Sequence, residues 1–189
     1  VVDDSIPSAK QANAELVGSL PLHDCEVVYL ENDRTAGASG AWNTALDFLV
    51  GKVDEPSHIF VAILDDDDAW ASGYLEQCVA AAVDNDLDMV ACALRRVESD
   101  TSLPLVSEAP ESLRVQDFLT GNPGIQGSNL FVRLSVLLAA GGFDEGLRST
   151  TDRDLCIRIA ELGTVRYARL LGALVDHYAD SDRARLSTR

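Results

Sequence analysis

Apolar positions along the chain switch between two spacings, and the switches divide it into elements. Ala9, Ala12, Leu16 and Leu20 recur at roughly helical spacing behind Ser5, a possible cap, and Pro7, which suits a first turn, so a helix is predicted over 7–20. Cys25 to Leu30 (CEVVYL) reads as a short buried strand, and Asn32 to Gly40 as a polar, glycine-containing loop. Ala41, Ala45, Leu46 and Leu49 fall on one face of a second helix ending near Val50. His58 to Leu64 (HIFVAIL) is a continuous apolar run, the pattern of a strand covered on both faces. Asp65 to Asp68 ends it, Ser72 is placed to cap a helix over 73–83, and Asp88 to Leu94 is the next strand. Strand and helix in alternation predict an α/β fold with a largely parallel sheet.

Beyond Arg95 the rhythm changes. Ser99 to Pro110 is polar and reads as a hairpin or excursion, Leu113 to Leu119 as a short helix, and Asn122-Pro123-Gly124 as a turn. Asn129 to Val132 is predicted as a strand, followed by a helix over 134–140 that Gly141-Gly142 ends. A last helix runs over 152–162 to a stop at Gly163, and Val165 to Leu171 and Ala173 to His177 read as two short strands before a charged tail from Asp180.

Composition narrows the classes. The 189 residues suffice for one domain with a sizeable core. No apolar run approaches the ~20 residues of a membrane span, and no basic-then-apolar leader opens the chain. A cytoplasmic location is expected, with peripheral attachment to the inner membrane face as its variant. The formal net charge of -16 repels phosphate backbones, so no nucleic-acid partner is expected. Cys25, Cys78, Cys92 and Cys156 form no CxxC unit and no zinc spacing.

Candidate chemistry centres on Asp65-Asp66-Asp67-Asp68 at the end of a buried strand, where ligands bind in open α/β sheets. No lysine or arginine occurs between Val53 and Leu94, so nothing local in sequence neutralises the cluster. Adjacent carboxylates raise one another's pKa; a divalent cation relieves the repulsion. Oxygen ligands favour Mg or Mn, which commonly take one or two carboxylates plus substrate phosphates. The plainer alternative is a solvated acidic turn. An EF-hand loop starting at Asp65 fails, because its sixth position needs Gly and holds Trp70.

Several segments, in order, resemble glycosyltransferase family 2: Val1 to Ser5 (VVDDS), Gly37 to Leu46 (GASGAWNTAL), Ile63 to Leu75 (ILDDDDAWASGYL), Gly141 to Glu145 (GGFDE) and Asp152 to Arg158 (DRDLCIR). The resemblance implies a GT-A fold, with a mixed, mainly parallel sheet flanked by helices. It also implies that the first strand of that fold is missing here. One domain over 1–189 is expected: a nucleotide-sugar-binding half over 1–95, an acceptor and catalytic half over 96–179, and a tail over 180–189.

The implied activity is inverting transfer of a hexosyl group to an acceptor hydroxyl, with Mn or Mg. The donor would be UDP-, dTDP- or GDP-linked, and the acceptor a glycan, lipid or small molecule. By position, Asp4 resembles the contact to the nucleotide base, Asp65 and Asp66 resemble ribose contacts, and Asn43 heads a helix of the nucleotide-sugar site. Asp67 resembles the metal ligand, Asp152 the general base, and His177 a further metal ligand. Against these stand an N-cap role for Asp152, an ordinary structural role for His177, and capping by Asp3 and Asp4. Asp154 and Arg158 are spaced as a helical ion pair, and Trp42 and Trp70 as packing. A metal-dependent phosphatase or nucleotidyltransferase, or a GT-A-like domain that only binds, are the rival functions.

Overall fold

The computed structural model describes residues 1–21, 25–98 and 105–178. The tail from Asp180 and the start of the Ser99–Pro110 excursion lie outside them. The elements run β1 (Val2–Asp3), α1 (Pro7–Gly18), β2 (Leu30–Glu31), α2 (Ala38–Val50), β3 (Phe60–Ala62), β4 (Asp68–Trp70), α3 (Tyr74–Asp84) and β5 (Met89–Val97). Then follow β6 (Leu105–Ser107), α4 (Val115–Leu119), β7 (Leu130–Arg133), α5 (Leu134–Ala139), α6 (Thr151–Glu161) and β8 (Tyr167–Tyr178).

β5 is the spine. Its residues Met89 to Ala93 are wholly buried, which explains the uninterrupted apolar run. Alternate side chains enter different cores. Val90, Cys92 and Leu94 pack with Phe131 of β7 under Tyr74, Cys78 and Ala82 of α3. Met89 and Ala91 pack with Leu130 and Val132 against α5 and α6, through Leu134, Leu137, Leu155 and Ile159.

The α/β architecture is as expected, but its strand pairing is not mainly parallel. Among the described residues, parallel pairing is confined to β1 with β2 and β5 with β8. The other pairs, β3 with β7, β4 with β8, and β5 with both β6 and β7, are antiparallel. The large sheet has the order β3-β7-β5-β8-β4, with β6 on β5; β1 and β2 form a separate pair. Alternation of strand and helix gave no sign of β4, a strand of 3 residues that pairs with the distant β8, whereas β6, also of 3 residues, pairs back on β5 within the stretch read as a hairpin or excursion.

Other boundaries moved for local reasons. Of the CEVVYL run only Leu30 is in a strand, paired with Val2, and the pairing continues into Glu31. The two strands expected near the C-terminus are one, β8, broken in register beside Cys92 and Ala93, where exposed Leu171 and left-handed Gly172 (φ +108°) bulge outward. Neither Ser5 nor Ser72 caps a helix: Ile6 and Gly73 hold those positions, without side-chain bonds.

Candidate active site

The end of β3, the 35–40 loop, the end of β8 and the start of α6 meet at a cleft of about 1230 Å³. Its walls include Asp65, Asp66, Asp67, Asp152 and His177, residues that are up to 112 positions apart (177 minus 65).

The aspartates are held by a turn. The Asp68 N–H donates to the Asp65 carbonyl (3.2 Å), which puts Asp66 and Asp67 at the central positions. The Asp65 N–H donates to Ser128 Oγ (3.1 Å), and Trp70 Nε1 donates to the Ser128 carbonyl (2.8 Å). Ser128 is fully buried in a short 3-10 turn, Gly127–Asn129. Asn129 fixes that turn: its amide donates to the carbonyls of Cys92 (2.7 Å) and Gly124 (2.9 Å), and its Oδ1 accepts from the Gln126 N–H (2.8 Å). The Gln126–Asn129 segment thus anchors the aspartate turn to β5, and Gln126 and Gly127 also line the cleft.

The electrostatics are one-sided. Asp65, Asp66, Asp67, Glu145 and Asp152 face the cleft, and Arg148 is the one arginine or lysine among its described lining residues. Burial, reinforced by Asp68, Asp67, Asp152 and Asp66, pushes the Asp65 carboxyl up to about 7. Burial also raises Asp152, against the pull of the Arg153 N–H. That N–H donates to Asp152 Oδ1 at 2.8 Å. The capping role weighed for Asp152 is corrected: Thr150 (φ +61°) is the cap position, and Asp152 lies inside the first turn of α6.

Two nominated residues lie elsewhere. Asp4 is not in the lining; its carboxylate accepts from Asn32 Nδ2 and the Gly37 N–H, both at 2.6 Å, and so shapes the loop that is. It caps nothing, and Asp3 accepts instead from Tyr29, Asn13 and the Ser5 N–H. Asn43 is buried, and its amide is fully engaged: Nδ2 donates to Phe143 O (2.8 Å) and Glu145 Oε1 (2.7 Å), and Oδ1 accepts from the Phe143 N–H (2.9 Å). It ties α2 to the GGFDE segment. A Cβ on Gly142 would stand 2.8 Å from Asn43 Oδ1, and Gly142 has a left-handed φ of +70°, so glycine is required there on both counts.

Glu145 is a lining residue that the sequence did not single out. It takes Arg34 Nε (2.6 Å), Asn43 Nδ2 and the Thr35 N–H (3.1 Å). Those bonds hold its carboxyl down at about 2 and fasten the 35–40 loop to the GGFDE turn. Trp42 packs on Phe143 (ring centroids 4.6 Å apart) and Trp70 on Tyr74 (4.7 Å), as packing residues should, although Trp42 also edges the cleft. The expected ion pair of Asp154 with Arg158 is present at 2.7 Å.

Among the described residues no three His, Cys, Asp or Glu side chains converge as a closed cage. Asp67 and His177 do share the cleft, and Arg148 alone stands against the acids of its described lining. A buried oxygen of Asp68 beside His177 has no hydrogen-bond partner among the described residues. The set fits an open seat with one or two protein ligands, the kind whose remaining positions substrate phosphates fill.

Comparisons with known proteins agree with this picture. S. aureus TarS 1–349, solved in complex with UDP-GlcNAc, superposes with a TM-score of 0.67 at 22% identity, covering 100% of this chain and 51% of that one. The mannosyltransferase PcManGT from Pyrobaculum calidifontis, in complex with GDP-Man and Mn2+, gives 0.60 at 21% identity over 93% of this chain and 46% of its own. The fold is therefore that of the GT-A class. The sequence matches the profile of Glycosyl transferase family 2 over residues 1–137, and the chain belongs to that family. Among curated proteins it is 32% identical over 71 residues to an Escherichia coli protein named UDP-Glc:alpha-D-GlcNAc-diphosphoundecaprenol beta-1,3-glucosyltransferase WfgD. That match covers 38% of this chain and 25% of the relative. The chain thus spans about half the length of the solved relatives and a quarter of the curated one. No helix among the described residues is long and apolar enough to cross a membrane.

Proposed function

We propose that this domain transfers a hexosyl group from a nucleoside-diphosphate sugar to an acceptor hydroxyl, with inversion at the anomeric carbon and with Mn or Mg. The observation that carries this reading is the cleft where Asp65, Asp66, Asp67 and Asp152 converge with almost no cationic side chain. An acidic wall is a poor host for a diphosphate unless a cation stands between them. Family membership favours transfer over the phosphatase and nucleotidyltransferase alternatives.

Asp152 acts as the base. Burial raises its proton affinity, which suits a carboxylate that must take the acceptor's hydroxyl proton. The acceptor oxygen then forms its bond to the anomeric carbon as the bond from that carbon to the diphosphate oxygen breaks, and the diphosphate leaves with the electron pair. A single displacement of this kind inverts the centre, as in the inverting glycosidases. Asp65 and Asp66 hold the ribose side of the donor, and the 35–40 loop, shaped by Asp4 and Glu145, closes the nucleotide end. Asp67 and His177 are the residues that would hold the metal, which when bound supplies positive charge at the leaving diphosphate. UDP-linked sugars are the first donors to try, because TarS was solved with UDP-GlcNAc and WfgD is named for UDP-Glc.

The test is isothermal titration of UDP, GDP and dTDP into the complete protein with and without Mn. Binding of one nucleotide that requires Mn is the expected result. A folded protein that binds none of them would overturn the donor site and leave a GT-A-like scaffold without this chemistry.

A further inference from the structure

Asp68 is set apart from the three aspartates before it. Those line the cleft, whereas Asp68 is the first residue of β4, and its side chain is only 1% exposed. β4 pairs antiparallel with β8, in a register that puts Asp68 directly opposite His177. Directly opposite residues have Cβ atoms within about 5.5 Å, so the two side chains meet across the strands. Asp68 Oδ1 lies 2.9 Å from His177 Nδ1. The other carboxylate oxygen is buried without a hydrogen-bond partner among the described residues. A buried carboxylate with one oxygen unsatisfied is costly to keep, and a purely structural pair would not need one. Replacing both residues by apolar ones of similar shape is often neutral or better for stability.

His177 is half-buried and lines the cleft. Its Nδ1 is occupied by Asp68. Nε2, on the opposite side of the ring, has no protein partner among the described residues. A carboxylate accepts from N–H and gives no proton of its own when ionised, so it selects the tautomer with hydrogen on Nδ1. The lone pair is then on Nε2. A carboxylate in this place both fixes the ring's orientation and increases its strength as a donor.

We infer that Asp68 is a positioning residue: from its buried place on β4 it locks the His177 imidazole with the Nε2 lone pair presented to the cleft. The lock itself requires no metal. Its use, as a seat for the cation, rests on the reading given under Proposed function.

Both parts are tested on the complete protein. Nitrogen-15 NMR of the metal-free protein near pH 9, with neutral imidazoles, reads the tautomer of His177. Wild type is expected to carry hydrogen on Nδ1; Asp68→Ala is expected to move the ring toward the Nε2–H form or a mixture. Asp68→Leu keeps similar bulk, removes the acceptor, and serves if the alanine variant fails to fold. An unchanged tautomer in a folded variant would overturn the inference. Mn affinity, read by electron paramagnetic resonance, is expected to weaken about 10- to 100-fold in Asp68→Ala. The same change made on a His177→Ala background should have no further effect. A full loss on both backgrounds would show that Asp68 acts apart from His177 and would overturn the inference too. If wild type binds no Mn while the tautomer behaves as expected, the lock stands and the metal-dependent reading falls.

Discussion

Two carboxylates at different ends of the sheet, Asp88 buried and Asp65 half-buried, show what this fold does with charge. Asp88, just before β5, receives Arg133 Nε (3.0 Å), Arg166 Nη2 (2.8 Å) and the Arg166 N–H (3.0 Å). The Arg166 guanidinium leads in holding its carboxyl down at about 2. Asp65, in the cleft, has other carboxylates for neighbours and is pushed up to about 7. Both charges are taken from water; only one is compensated within the protein. A chain able to build the Asp88 cluster has left the Asp65 cluster unneutralised, and that contrast points to a cationic ligand from outside.

The comparison breaks first at Asp152. Asp152→Asn should lower transfer by about 10²- to 10⁴-fold, equivalent to about 3–5 kcal/mol, with nucleotide affinity little changed; initial rates and titration read the two separately. Retained transfer would remove the base assignment and with it the functional meaning of the uncompensated end.

Asp88→Ala comes next, and its effect is on stability. It removes the carboxylate shared by two arginines: Arg133, with a side chain only 16% exposed, is left with carbonyl partners, and Arg166 keeps Asp86. A cost of about 2 kcal/mol is expected, the low side of what breaking a buried pair does. The midpoint of urea unfolding measures it.

The smallest effect has the opposite sign. Asp65→Asn should stabilise the metal-free protein by about 1 kcal/mol at pH 8, because it removes a charge the fold disfavours. The two sites also answer pH in opposite directions. Asp65 has a raised pKa, so the folded state holds its proton longer than the unfolded chain, and stability falls as pH rises from about 4 to about 7. Asp88 has a lowered pKa, so its contribution is present above about 4 and is lost as pH falls toward 2. Thermal melts across pH should show the upper slope in wild type, less of it in Asp65→Asn, and less again with saturating Mn.

Much of the cleft was legible because its residues carry their meaning locally. Four aspartates after an apolar run, and an aspartate at the start of a helix, need no partner to be noticed. What escaped depends on pairing across distance. Glu145 meets Asn43 at a separation of 102 residues, and Asp68 meets His177 at 109. Neither spacing leaves a periodic trace. The strand directions escaped for a related reason: helix and strand in alternation look alike whether the chain returns parallel, as β8 does beside β5, or antiparallel, as β7 does. Asp4 and Asn43 were found, but the structure puts them behind the lining rather than in it, since a polar residue that braces a loop and one that lines it have the same sequence signature.

The bulge in β8 sets a phase. Cys92 stands opposite Leu170, yet Leu94, two residues on, stands opposite Val175, five residues on. The strand has gained three residues on its partner, an odd number, and side chains alternate faces with every residue. Which of Asp176 and His177 looks toward the cleft is therefore decided by a residue count at Leu171–Gly172, out in solvent. A one-residue insertion there would leave β5 untouched, exchange the faces of those two side chains, and put Asp176, the acid now paired with Arg95, where the imidazole stands.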